Sequence, residues 1–350
     1  MNLSAELIFK NSPPTSFEWI LMIIWSLMVM LVSMIGNTIV LTATVKYNAI
    51  KLDDISVVLI RNIAVADLGV AVYIASSLPG IIAKQYLYND LFCILSKTYL
   101  YACLSTEVVL VAALSVSKLL WILSPLRALA RSKKNGRIIA ASIWLLMISL
   151  TAGTTLYRES ANDNWTNFQG ALYQCSRTSG DIKSSILFKA IVMSFNVIPQ
   201  LVITVATLWL LALVRKAGAI HKQGLITILL VCALFFVSHA PYAFLYQILK
   251  LLLDTRSYDW FDTLYRWSFY IVYLNYAANP LIYFASIDSF NRFVKQRIFK
   301  REGFSLSERS TTQSYSYNLR ASSMRQSCDT VHSLSRRRTL GERNIKAVQV

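Results

Sequence analysis

Charge is scarce in this chain. Only 15% of its 350 residues are Asp, Glu, Lys or Arg, against about 25% in soluble domains. Two ordinary soluble domains, which the length alone would permit, are therefore disfavoured. Acidic residues are scarcer still, 18 against 35 Lys and Arg, which leaves a formal net charge of +17. None of the five cysteines (Cys93, Cys103, Cys175, Cys232, Cys328) forms a Cys-x-x-Cys pair. That argues against a zinc or thioredoxin-type site. There is no nucleophile–base pair or metal-ligand cluster to mark an enzyme, so no catalytic residue is assigned. Internal repeats and a continuous polar path, expected of a transporter or channel, are missing too. Residues 1–18 are too polar and too short for a cleaved signal peptide, so the first apolar run reads as an uncleaved anchor.

Long apolar runs are what the chain has instead. A helix needs roughly 20 apolar residues to cross the hydrocarbon of a bilayer. Seven runs qualify: Trp19 to Val45, Val57 to Ala83, Leu91 to Leu123, Ile138 to Leu156, Ser184 to Val214, Gly224 to Leu249 and Trp267 to Ser286. The fold expected is an all-α membrane protein, a seven-helix bundle over residues 19–286. Residues 1–18 form an outer segment, 287–300 a short amphipathic helix on the membrane surface, and 301–350 a polar, disordered tail.

Lys and Arg collect in alternate loops: Lys46 and Lys51, then Arg127, Arg131, Lys133, Lys134 and Arg137, then Arg215, Lys216 and Lys222. The opposite loops mix signs. By the positive-inside rule the N-terminus lies outside and the tail in the cytoplasm. The basic balance thus follows from membrane insertion, and a nucleic-acid partner is not implied. Asn2 and Asn164 head glycosylation sequons on the outer side, modest support because sequons arise by chance. Cys93 and Cys175 fall on that same oxidising side, where a disulfide can persist.

Ionisable groups inside a membrane are costly and usually face the bundle interior. Asp67 in the second run is the strongest case, with Asn37, Asn275 and Asn279 as partners near it. Glu107 in the third run adds a second carboxylate. Two carboxylates in one low-dielectric pocket cannot both ionise cheaply. A shared proton or a bound sodium ion between Asp67 and Glu107 is the functional reading. The structural one has Glu107 turned to another helix, and the two carry even weight. Pro199, Pro241 and Pro280 interrupt the last three runs, each removing a backbone hydrogen bond.

The ordered set of these features resembles the rhodopsin-like (class A) G-protein-coupled receptors over roughly residues 19–300. The matches are Gly36-Asn37, Asn62 with Asp67, Trp144, Pro199, Phe235 with Pro241, and Asn279-Pro280-Leu281-Ile282-Tyr283. Phe290, Arg292, Lys295 and Phe299 resemble the family's membrane-surface helix. The resemblance pairs Cys93 with Cys175. It implies a plasma-membrane receptor that binds an extracellular ligand, activates a heterotrimeric G protein and recruits an arrestin-like partner. It also places ligand candidates in the outer half: Leu100, Tyr101, Leu104, Lys189, His239, Tyr242, Tyr246, Phe269 and Tyr273. Leu100 stands where amine receptors carry Asp and Tyr273 where opsins carry the retinal Lys, so neither ligand class is expected. A peptide and a small organic ligand both remain open. Lys189 either pairs with an acidic ligand or snorkels to headgroups. His239 either senses pH or hydrogen-bonds in the core.

Three departures concern the switch. Ser117-Lys118-Leu119 replaces the family's Asp-Arg-Tyr, so the G-protein-coupling position falls on Lys118, which lacks the planar fork of Arg. His239 replaces a Trp and Thr207 a Tyr. A decoy, scavenger or arrestin-biased receptor is therefore the alternative to a coupling one. In the tail, Ser305, Ser307, Ser310, Thr311, Thr312, Ser314 and Ser316 form a phosphorylatable cluster. Arg336-Arg337-Arg338-Thr339 resembles a kinase site, and Val350 ends a short PDZ-like sequence.

Overall fold

A computed structural model describes residues 15–47, 52–84, 87–123, 133–160, 168–169, 175–176, 197–212, 219–242 and 259–297. One compact unit takes in Met1–Val294, and a second begins at Lys295. The described residues hold eight helices: α1 (Ser16–Val45), α2 (Asp54–Ala83), α3 (Asp90–Leu123), α4 (Lys133–Ser160), α5 (Val197–Ala212), α6 (Ala219–Ala240), α7 (Asp259–Ser286) and α8 (Asp288–Arg297). Between α4 and α5 lies one antiparallel pair, β1 (Phe168–Gln169) and β2 (Cys175–Ser176), with Phe168 opposite Ser176 and Gln169 opposite Cys175. Helices α1 to α4 are each long and apolar enough to cross a membrane. α5 and the Leu225–Ala240 part of α6 are shorter apolar helices.

The helix ends depart from the expected spans for local reasons. α1 starts ahead of Trp19 because Thr15 caps it: Thr15 Oγ1 accepts from Glu18 N at 3.2 Å, and Glu18 Oε2 accepts from Thr15 N at 2.9 Å. This reciprocal box satisfies two orphan donors. α2 starts ahead of Val57 because Asp53 caps it, Oδ2 accepting from Ser56 N at 3.0 Å. Its far end closes on Lys84 in the left-handed region, φ 54°. α4 and α7 begin five and eight residues before the apolar runs, so Lys133, Lys134 and Arg137 are helical rather than loop residues. α6 ends at Ala240 and the backbone widens into a π-type turn at Pro241 and Tyr242. Pro241 has no N–H to continue the ladder. Pro79 lies inside α2. Residues 184–196, 243–249 and 298–350 lie outside the described residues.

Packing runs α1 on α2, α2 on α3 and α4, α3 on α4 and α6, α6 on α7, and α7 back onto α1 and α2. One glycine sets the last closure. A Cβ on Gly36 of α1 would lie 2.7 Å from Cβ of Pro280 in α7, so only a bare backbone fits there. The buried apolar residues divide into two clusters. One gathers Val40, Ile60, Val111, Ile228, Phe235, Tyr283 and Phe290. The other gathers Met22, Val29, Val70, Leu100, Tyr270, Tyr273 and Tyr276. Along α1, α2, α3 and α7 the stretches between these clusters carry buried polar residues: Ser33 and Asn37, Asp67, Glu107, and Asn279. α8 turns Ile287, Phe290 and Val294 inward while Arg292 and Lys295 stay exposed, as an amphipathic helix should.

Candidate functional site: an interhelical polar layer

The layer between the two apolar clusters is fully buried. Asp67, Glu107, Asn37, Asn275 and Asn279 are each at most 1% exposed. Asn279 Nδ2 donates to Asp67 Oδ2 at 3.1 Å and reaches Glu107 Oε1 at 3.4 Å. Asn275, one turn earlier on α7, donates to the same Glu107 oxygen. The spacing of Asn275 and Asn279 puts both amides on one helix face. One α7 stripe therefore gathers a carboxyl from α2 and a carboxyl from α3.

Several acceptor oxygens in the layer have no partner: Asp67 Oδ1, Glu107 Oε2, Asn275 Oδ1, Asn279 Oδ1 and the hydroxyl of Thr106. Buried polar atoms are almost always satisfied, so this concentration calls for an occupant. A proton between the carboxyls, water, or a hard cation held by oxygens would each serve. Among the described residues no group of three His, Cys, Asp or Glu is placed to hold a metal ion.

Asn37 does not reach the carboxyls. Its Nδ2 donates to Ser33 O at 3.1 Å and to Tyr276 O at 3.0 Å, tying α1 to α7. Ser33 in turn donates to the backbone carbonyl of Asp67 at 3.3 Å. Tyr283 is buried, and its hydroxyl has no hydrogen-bond partner. Pro280 follows Asn279 and abuts Gly36.

Lys118 is placed at the far end of α3, only 6% exposed. It forms an ion pair with Asp53, the cap of α2. Burial opposes charge on Asp53, but the Lys118 ammonium, with hydrogen bonds from Lys118 and Ser56, holds its carboxyl below the ordinary range. The family's neighbouring carboxylate is thus replaced by one from another helix. Sequence reasoning missed Asp53. The signal was there: Asp53-Asp54-Ile55-Ser56 directly before an apolar run reads as a helix start.

His239 is buried on α6, its ring stacked on Phe235 with centroids 3.8 Å apart. Its Nδ1 lies 3.2 Å from Phe235 O and 3.0 Å from Ser238 Oγ, while Nε2 has no partner. Of the ligand candidates, Leu100, Phe269 and Tyr273 are buried, and Tyr101, Leu104 and Tyr242 are half-buried. Tyr242, Phe269 and Tyr273 form a continuous aromatic set, with centroids 5.9 Å and 5.0 Å apart. Cys93 is disulfide-bonded, and Cys103 and Cys232 are free and buried. Asn2, Asn164, Lys189, Tyr246 and the tail sites lie outside the described residues. Thr207 bends back on its own helix, donating to Ile203 O at 2.6 Å.

The helices α1 to α4, long and apolar enough to cross a membrane, fit a multi-pass membrane bundle, and the proteins the chain resembles are receptors and not enzymes. The chain belongs to the seven-transmembrane receptor (rhodopsin) family, whose model matches residues 36–283. Among known proteins it is similar to human C-C chemokine receptor type 1, 22% identical over 78% of this chain and 78% of that one. It is also similar to human lysophosphatidic acid receptor 4, 23% identical over 69% of this chain and 68% of the relative. A chicken lysophosphatidic acid receptor 6 is 22% identical over 30% of this chain and 34% of its own length.

Proposed function

We propose that the chain is a plasma-membrane receptor, N-terminus outside and tail in the cytoplasm, that converts binding of an extracellular ligand into G-protein activation. The observation that carries this reading is the polar layer. It joins α2, α3 and α7 beside Pro280, midway between an outer aromatic cluster that a ligand can press on and an inner cluster that an effector can read. Movement of α6 and α7 at their prolines alters that layer. Tyr101, Leu104, Lys189, His239, Tyr242, Tyr246 and Tyr273 are the ligand-facing set. The relatives are named for a C-C chemokine and for lysophosphatidic acid, which supports a peptide or a small organic ligand. Asp67 and Glu107 hold a shared proton or a sodium ion, with Asn275 and Asn279 completing an oxygen-rich shell; the unpartnered buried oxygens support this. Such an ion would supply the positive charge that two buried carboxylates require. Cys93 bridges to Cys175, Asn2 and Asn164 carry glycans, and the phosphorylated tail recruits an arrestin-like partner.

A second reading, a decoy, scavenger or arrestin-biased receptor, is favoured by one observation. Lys118, at the family's G-protein contact, is buried against Asp53 and withheld from the surface. Constitutive and ligand-driven G-protein activation in cells separates the two, comparing wild type with Ser117→Asp/Lys118→Arg/Leu119→Tyr. The coupling reading expects wild-type signalling. A signal seen only in the triple variant overturns it in favour of the decoy.

A further inference from the structure

The end of α2 that leads toward α3 carries Pro79, and side-chain donors gather around it. Pro79 has no N–H, so the carbonyl of Ala75, four residues earlier, loses its ladder donor. A proline inside a helix is a common cause of a kink. The two serines ahead of it act on the same turn. Ser76 Oγ donates to Tyr73 O at 2.8 Å and Ser77 Oγ to Ile74 O at 3.0 Å, and such back-bonding bends helices.

Two more carbonyls of this stretch are held from outside the helix. Before the proline, Tyr88 Oη donates to Ser76 O at 2.9 Å. The ladder donor for that carbonyl, the N–H of Gly80, lies just past Pro79, so Tyr88 grips the turn where it is weakest. After the proline, Trp19 Nε1 of α1 donates to Ile81 O at 2.8 Å. Lys84, which closes α2 in the left-handed region at φ 54°, sets its ammonium over the same Trp19 ring, 4.2 Å from the centroid.

Tyr88 is itself anchored to the start of α3. Its ring packs on Phe92 with centroids 4.5 Å apart. The next residue, Asn89, accepts from Phe92 N at 2.9 Å through Oδ1 and from Cys93 N at 3.0 Å through its carbonyl. Cys93 is disulfide-bonded. Beneath the turn lies the outer apolar cluster, to which Tyr73 and Ile74 belong together with Met22, Cys103 and Tyr270. Past Pro79, Gly80 and Ile81 are buried while Ile82 is exposed.

We propose that Tyr88 is a strap across a hinge at Pro79. While it holds Ser76 O, the end of α2 at residues 80–84 stays closed over the outer cluster; its release lets that end swing and opens the cluster. This goes beyond the receptor reading, and neither a ligand nor a G protein enters its test.

Two native cysteines read the movement. Cys103 is 2% exposed in the outer cluster, and Cys232 is buried in the inner one. Full-length receptor in phosphatidylcholine nanodiscs is treated with N-ethylmaleimide, and labelling of each cysteine is followed by peptide mass spectrometry. Tyr88→Phe keeps the ring on Phe92 and removes the O–H; Trp19→Phe removes the donor on the far side of the hinge. Each should speed labelling of Cys103 about fivefold, the factor that one net hydrogen bond contributes to a local opening equilibrium. Cys232 should keep its wild-type rate. Pro79→Ala restores a continuous ladder, and in that background Tyr88→Phe should have no effect. Unchanged labelling of Cys103 in Tyr88→Phe, or in Trp19→Phe where the first variant does not fold, overturns the proposal. Equal acceleration at Cys103 and Cys232, the mark of general loosening, overturns it too, as does a full effect of Tyr88→Phe in Pro79→Ala.

Discussion

Lys118 shows what one residue's surroundings decide. An ion pair between exposed groups contributes about 0–1 kcal/mol, and breaking a buried one costs about 3–5 kcal/mol. Lys118 is 7% and Asp53 26% exposed in their side chains, so the pair falls between these limits. Asn caps a helix as well as Asp does, so Asp53→Asn removes the charge and leaves the cap. Asp53→Asn should cost about 1–3 kcal/mol, and Asp53→Ala about 1 kcal/mol more through the lost cap; melting temperatures of the purified receptor in detergent measure both. If Lys118 is held back by this pair, Asp53→Asn should also raise basal signalling in a coupling receptor. The pH dependence has a definite sign. Asp53 titrates below its ordinary value of 3.8 in the folded chain, so the pair contributes fully above that value and is lost as pH falls through the lowered one. The gap between wild type and Asp53→Asn should stay constant near neutrality and close below pH 3.8.

At the scale of the element, α1 and α7 meet through a missing side chain. Gly36→Val would place a Cβ 2.7 Å from Pro280, and overpacking of this kind costs about 1–3 kcal/mol. The backbone of neither helix can give way cheaply, since Asn37 is bonded to Tyr276 O and Trp25 Nε1 donates to Tyr270 O at 2.9 Å. Gly153 of α4 is the control, because a Cβ there meets nothing within 4 Å. Gly153→Ala should raise stability by up to about 1 kcal/mol through helix propensity. Thermal melts with opposite signs for the two substitutions would bear out this contrast; equal small effects would deny that the α1–α7 contact is tight. The helices themselves were legible from apolar length. Their ends were not, because Thr15, Asp53 and the polar starts of α4 and α7 extend helix through caps and snorkelling side chains that hydropathy does not register.

Across the whole molecule, the central question is how two carboxyls coexist in the middle of the bundle. Agonist affinity measured against sodium and pH should shift in wild type and lose most of that dependence in Glu107→Ser. Indistinguishable profiles for the two proteins would exclude a shared proton or sodium ion. Asp67, Glu107, Asn275 and Asn279 were each conspicuous in the sequence as polar residues within apolar runs. Their convergence rests on the register of three helices far apart in the chain. Asn37 had the same sequence credentials and lies a bond away, joined to Ser33 and Tyr276 instead.

The sequence by itself determined the bundle, the family and the polar positions, because hydrocarbon admits only long apolar helices and makes every buried charge conspicuous. Which polar groups meet was decided by tertiary structure alone. Helix rotation and close approach bring Glu107 to the α7 asparagines and Asp53 to Lys118. Those pairings join residues on different helices, and no local spacing along the chain encodes them.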